Sequence, residues 1–162
     1  MRALPAGSAV IFRDYDAPRR EAVARRYLSI CRARGVFFLV AGDAALAARI
    51  GADGVHWPSF RTAPAPFPPR QAPFIVTAAC HTAAELAGAA ARGADLALLS
   101  PVFRTQSHPG AAELGADRFR ALAAASPIPV LALGGVDCGN ARLLIERNVA
   151  GIAAIGAFHG AT

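Results

Sequence analysis

Short apolar runs alternate with amphipathic stretches along most of this chain. The runs are AVIF (9–12), FFLV (37–40), GVHW (54–57), FIVTA (74–78), LALL (96–99), PVLAL (129–133) and GIAAI (151–155). Between them, 18–34, 43–50, 82–92, 116–125 and 138–147 carry helical spacing. Strands of this length alternating with helices predict a parallel sheet built from βαβ units. Because the strands are apolar on both faces, the sheet needs cover on both sides, as in a barrel or a doubly wound sheet. One connection differs. Pro58, Pro64, Pro66, Pro68 and Pro69 interrupt the stretch 58–73, which predicts an extended loop where a helix would otherwise lie.

An internal echo supports repeated units. Gly51-Ala52-Asp53-Gly54-Val55 and Gly93-Ala94-Asp95-Leu96-Ala97 each place a helix-ending Gly shortly before a strand. Asn148-Val149-Ala150-Gly151-Ile152 reads as a third copy, with Asn in the left-handed cap position. The expectation is a single domain over residues 1–162, large enough for a sizeable core but short for a full eight-fold barrel.

Composition narrows the chemistry. Hydrophobic residues make up 54% of the chain and charged residues 17%, so much of it is buried. All 17 basic residues are arginine, which removes any lysine Schiff base or lysine general base. The net charge of +6 suits an anionic ligand. Arg19, Arg20, Arg25, Arg26, Arg32 and Arg34 lie along one helical segment and read as a solvated face, so no nucleic-acid partner is expected. Cys31, Cys80 and Cys138 lack metal-ligand spacing and read as buried thiols of a reducing compartment. Without a signal-peptide pattern or a membrane-length apolar run, a soluble cytoplasmic protein with no membrane partner is expected.

Candidate chemistry gathers just after strands, where sites form in parallel α/β folds. Gly134-Gly135-Val136 follows PVLAL and precedes a helix expected to start near Cys138. Paired glycines at such a turn expose backbone N–H groups, and a helix N-terminus adds positive potential for a phosphate. A plain tight turn is the alternative. Gly156, after the last strand, pairs with it as a second source of N–H groups. The polar loop Ser100–Gly110 offers Thr105 and Ser107 as phosphate ligands and His108 as an acid/base group. Its alternative is a solvated loop. His81, at a strand-to-helix junction, either caps the helix or faces the mouth as a second acid/base candidate.

These segments, in this order, resemble the thiamine-phosphate synthase and TenI family. The motifs are Gly51-Ala52-Asp53-Gly54-Val55-His56, Ser100-Pro101-Val102-Phe103 with Thr105, Pro109-Gly110 and Leu114-Gly115, then Ala132-Leu133-Gly134-Gly135-Val136. The resemblance runs from about residue 9 to 158. It implies an α/β fold, a TIM (β/α)8-type barrel, holding a small phosphorylated thiazole ligand at its C-terminal mouth. Val10-Ile11-Phe12-Arg13-Asp14 looks like the family's second strand. The barrel is therefore expected to lack its first β-α unit and its last helix, leaving about seven parallel strands. A misassigned start site or an open barrel, with homo-oligomerisation possible, would account for this. Arg13, Asp43, His56 and Ser100 fall at positions implied to bind substrate.

The synthase of this family joins an aminopyrimidine diphosphate to a thiazole phosphate with Mg2+. Charge neutralisation at departing pyrophosphate needs the metal, its carboxylates and cations. In this chain Tyr15 stands for a family lysine, Gly42 for an asparagine, and Trp57-Pro58-Ser59-Phe60 for the segment before the second metal carboxylate. Ala79 replaces the pyrimidine-site serine and His108 the lysine of the polar loop. Asp43 alone remains as a metal candidate. TenI-type members instead aromatise a thiazole tautomer, which needs only an acid/base residue. Pro101 stands where some of them carry a catalytic histidine, which leaves His108 or His81 as the substitute. The expectation is a TenI-like thiazole tautomerase; the alternative is a non-catalytic, ligand-binding or regulatory member.

Overall fold

The computed structural model describes residues 4–59, 74–105, 110 and 112–155. All seven predicted strands form: β1 Ala9–Phe12, β2 Phe37–Ala41, β3 Gly54–Trp57, β4 Ile75–Cys80, β5 Leu96–Leu99, β6 Val130–Leu133 and β7 Val149–Ala153. Among the described residues, four α-helices lie between them: α1 Arg20–Arg32, α2 Ala44–Ile50, α3 Ala83–Ala91 and α4 Gly115–Ala125. Hydrogen-bonded strand order follows the chain from β1 to β7. Pairing is parallel at β1–β2, β2–β3, β5–β6 and β6–β7. The chain divides into two compact units, Met1–Thr77 and Ala78–Thr162, with the division falling inside β4.

In the first unit, α1 buries Ala24, Leu28 and Cys31, spaced four and three residues apart on one helical face. They join Phe12, Phe38, Val40, Leu46 and Ile50 in one apolar cluster. The Phe12 ring lies 6.0 Å from both Phe38 and Tyr27. Gly51, at φ 69, closes α2 as the repeat predicts. Two residues on, Asp53 Oδ2 accepts the Phe38 N–H at 2.8 Å, so the carboxylate of the first repeat is a tie to β2.

The second unit is organised around β5 and β6, with Ala97, Leu98, Leu99, Val130 and Ala132 buried, as are Leu86, Phe119 and Ala123 of its helices. Its α3 begins with a reciprocal cap. Thr82 Oγ1 accepts the Glu85 N–H at 3.2 Å, and the Glu85 carboxylate accepts the His81 N–H.

Four expectations are corrected. The helix expected over 138–147 is only a 3-10 turn, Ala141–Leu144. Asp137 Oδ1 accepts the N–H groups of Gly139 and Asn140 at 2.8 and 3.0 Å, offering the backbone a turn in place of a helix. Gly139 and Asn140 are also poor helix formers. Asn148 is not left-handed, since Arg19 is the one non-glycine with positive φ among the described residues. Its side chain instead donates to the carbonyls of Ala123, Ser126 and Ile128 at 3.0, 3.0 and 3.2 Å, clamping the end of α4. The last strand therefore starts at Val149, two residues before the predicted run. Cys138, in the Asp137 turn, is exposed, whereas Cys31 and Cys80 are buried as expected.

Candidate functional site

In the second unit, three adjoining strand ends are wired together by the segment that leaves β5. The Ser100 N–H donates to the Cys80 carbonyl at 3.0 Å, joining this segment to the end of β4. The N–H groups of Val102 and Phe103 donate to the carbonyls of Leu133 and Gly134 at 2.9 Å each, joining it to the end of β6. Leu114 and Gly115, at the start of α4, donate to the carbonyls of Pro101 and Val102 at 3.0 and 2.9 Å. The chain from Ser100 to Phe103 is thus fixed by its backbone, and Val102 is fully buried.

The double glycine packs on this frame. Gly134 and Gly135 have φ of 95° and 64°, a region that side-chain-bearing residues avoid. A Cβ on Gly134 would lie 2.9 Å from Pro101 Cα, and one on Gly135 only 2.4 Å from the Arg104 carbonyl oxygen. Both positions therefore require glycine for conformation and for space. The Gly135 carbonyl is held by Asn140 Nδ2 at 2.8 Å, while Asn140 Oδ1 accepts the Asp137 N–H at 2.9 Å. Among the described residues no acceptor pairs with the amides of Gly135 or Val136. Two N–H groups at a fixed turn can take up an anion. The helix expected to reinforce them is only the short 3-10 turn, so these amides lack the N-terminal potential of an α-helix.

His81 sits immediately after β4, half-buried, with its Nδ1 2.6 Å from the Ser100 carbonyl oxygen. The neighbouring Cys80 thiol is buried and pushed up to about 11, first by burial and then by the Glu85 carboxylate, so it is no nucleophile near neutrality.

The first unit places its candidates differently. Arg20, at the start of α1, donates from Nε to the Asp14 carbonyl at 2.9 Å and from Nη2 to the Ala41 carbonyl at 2.8 Å. Its Nη1 reaches Asp43 Oδ2 at 3.4 Å, and the guanidinium lies over the rings of Phe12 and Tyr15. Asp43 Oδ1 meanwhile accepts the Leu46 N–H at 2.8 Å as the N-cap of α2. Both carboxylate oxygens are therefore engaged. A magnesium ion wants several hard oxygen ligands, commonly including one or two carboxylates. Asp43 is tied to a cap and a guanidinium, and Trp57 and Pro58, in the segment before the family's second carboxylate, are buried. The described residues of this region do not fit the metal. Among the described residues no group of three His, Cys, Asp or Glu side chains is placed to share an ion.

His56 is 5% exposed on β3, whose four residues are all buried, and its Nδ1 is 2.9 Å from Thr77 Oγ1. Burial, and secondarily the Arg13 charge, push its pKa down to about 4, so it is neutral near pH 7. Arg13 itself is exposed at the end of β1.

Of the residues singled out in the sequence, His81, Ser100, Gly134 and Gly135 are brought into one backbone-linked frame, with Thr105 two residues beyond Phe103. Arg13, Asp43 and His56 belong to the first unit. Ser107, His108 and Gly156 lie outside the described residues. Sequence reasoning missed Arg20, Asn140, Thr77 and Glu85. Glu85 carries a legible signal, the Thr-x-x-Glu spacing of a capping box. Asn140 carries a weaker one, an Asp-x-x-Asn spacing just after the glycines. Nothing local distinguishes Arg20 from its neighbours.

A family model described as thiamine monophosphate synthase matches residues 1–158. The chain is 39% identical over 159 residues to the thiamine-phosphate synthase of Chromobacterium violaceum, covering 95% of this chain and 76% of that protein. It is 33% identical over 145 residues to that of Thioalkalivibrio sulfidiphilus, covering 86% and 67%. It spans 65% of the corresponding Geobacillus kaustophilus protein. In structure it is similar to a thiamine phosphate pyrophosphorylase from Pyrococcus furiosus, with a TM-score of 0.76 and 27% identity over 95% of this chain and 75% of that one. The likeness bears out the expected α/β, TIM-type class with seven parallel strands. No helix among the described residues is long and apolar enough to cross a membrane.

Proposed function

This chain belongs to the thiamine monophosphate synthase family, and from that premise we propose that it binds a phosphorylated thiazole and acts as a TenI-like tautomerase. The observation that carries the reading is the Gly134–Gly135 turn. It offers the amides of Gly135 and Val136 to an anion, on a frame that also holds His81. A phosphate ester anchored there would place its small ring toward the ends of β5 and β4. Tautomerisation then asks only for a group that removes a proton from one carbon and returns one to another.

Joining a pyrimidine diphosphate is a different task, because leaving pyrophosphate must be neutralised. Arg20 and Asp43 are engaged with each other and with the backbone, which argues against efficient synthase chemistry.

Calorimetry with the thiazole phosphate tests the reading. Saturable binding that weakens about 100-fold in Gly135→Ala supports it, because the added Cβ meets the Arg104 carbonyl and shifts the two amides off the anion. Unchanged affinity in that variant would move the anion elsewhere. A parallel assay with the aminopyrimidine diphosphate, the thiazole phosphate and Mg2+ should release little or no pyrophosphate. Rapid release would overturn the tautomerase assignment in favour of the synthase.

A further inference from the structure

We propose that His81 is the proton carrier of this site, working through Nε2 with its tautomer imposed by the Ser100 carbonyl. The proposal rests on the tautomerase reading above and deepens it by naming the atom. A carbonyl oxygen has lone pairs and no hydrogen, so it can only accept. The ring nitrogen 2.6 Å from it, Nδ1, must therefore carry the hydrogen. In the neutral imidazole that leaves the lone pair on Nε2, which has no hydrogen-bond partner among the described residues.

The ring is held for this role from both sides of its backbone. The Glu85 carboxylate accepts the His81 N–H, and Glu85 is itself fixed by Thr82 at the start of α3. The preceding carbonyl, that of Cys80, accepts the Ser100 N–H at 3.0 Å. Ser100 is thus joined to Cys80 by a backbone bond and to His81 by an imidazole bond, which together hold the ring beside this segment. The same segment carries Val102 and Phe103 to the end of β6, where the glycine turn offers its amides. From β4 to β6 is two strand spacings, about 10 Å. A ring ester whose phosphate rests on the Gly135 turn can span that distance toward His81.

The proton balance closes on one atom. Nε2 takes a proton from a saturated ring carbon, and the C–H electron pair moves into the ring as it becomes aromatic. The imidazolium, still bonded to Ser100, then gives a proton to the ligand carbon whose double bond has shifted. Nothing is oxidised or reduced and no leaving group departs.

His81→Asn is the decisive variant. An Asn side-chain amide can still donate to the Ser100 carbonyl, so a bridging role survives, but no Nε2 remains. Expected are an unchanged melting temperature, thiazole-phosphate affinity within about threefold of wild type, and kcat lower by about 100-fold or more. His81→Ala should regain part of its rate on addition of free imidazole. Nitrogen-detected NMR of 15N-histidine protein should show His81 protonated at Nδ1 and bare at Nε2. Turnover in His81→Asn at the wild-type rate, or a hydrogen on Nε2 of the neutral ring, would overturn the proposal. A wild-type protein that binds no thiazole phosphate and turns over no tautomer would overturn the functional reading beneath it.

Discussion

The ends of β1 and β2 and the ends of β4, β5 and β6 face the same physical problem, polar backbone emerging from apolar strands, and they solve it differently. In the first region charged side chains satisfy the backbone. Arg20 covers the carbonyls of Asp14 and Ala41, and Asp43 covers the Leu46 amide in the first turn of α2. In the second region backbone joins the strand ends, through Cys80–Ser100, Val102–Leu133 and Phe103–Gly134, and the neutral side chains of His81 and Asn140 cover the Ser100 and Gly135 carbonyls. A guanidinium and a carboxylate with all their polar atoms engaged as clamps are not available to a ligand. Where the main chain clamps itself, an imidazole edge and two amides are left over for chemistry. The chain's arginine-rich composition thus does not by itself locate the proposed anion site.

The sharpest way to break this contrast is at the glycine turn. Gly135→Val adds a branched side chain at φ 64°, with its Cβ 2.4 Å from the Arg104 carbonyl oxygen. Strain and overlap together should cost about 4 kcal/mol. Denaturant titration would read this as a lowered midpoint with unchanged slope. A loss below about 1 kcal/mol would mean that the frame yields easily and that the turn is not fixed as described.

Next in size is the pH response of the first region. His56 has a folded pKa of about 4, below the ordinary value of 6.5. Its contribution is therefore fully present above pH 6.5 and is lost as pH falls through about 4, where the unfolded chain binds the proton more readily. Over that window the loss is on the order of 3 kcal/mol. His56→Gln, which can still bond Thr77, should remove this component. The wild-type and variant stability curves should converge in slope above pH 7 and differ in slope between 6.5 and 4. Parallel curves throughout would show that the imidazole is hydrated in the folded protein.

How far the sequence anticipated these regions follows from the range of the forces involved. The seven strands were readable because apolar runs report burial directly, and the Gly51 and Gly93 turns because left-handed caps select their residue. The helix over 138–147 misled because its apolar spacing is real, yet Asp137 and Asn140 bond the backbone first. Asn148 misled for a related reason: three carbonyls of a distant turn engage its amide, and no local pattern encodes them. At the site, the glycines were legible as conformational requirements, and His81 as a junction residue. Its partner, the Ser100 carbonyl, was not, since any residue type supplies a carbonyl. The position of Asp43 in the motif is legible, but its pairing is not, because the arginine that engages it lies 23 residues away.

That last pairing gives the finest test of the contrast, because two substitutions at one residue separate its two roles. Asp43→Asn keeps an oxygen to accept the Leu46 N–H and removes only the charge facing Arg20. Asparagine is as good an N-cap as aspartate. The Arg20 pair is 3.4 Å long and its carboxylate side chain is 37% exposed, so the charge should contribute only about 0.5 kcal/mol. Asp43→Ala removes the cap as well and should cost about 1–2 kcal/mol. Thermal or denaturant unfolding of both variants, with and without millimolar MgCl2, reads the difference. The expected result is a graded loss, indifferent to magnesium in all three proteins. If the asparagine variant lost as much as the alanine one, charge and not capping would be the main role of Asp43. If magnesium stabilised the wild type and not Asp43→Asn, the carboxylate would be reaching a cation in spite of Arg20, and the first region would have to be counted among the ligand-binding parts of the molecule.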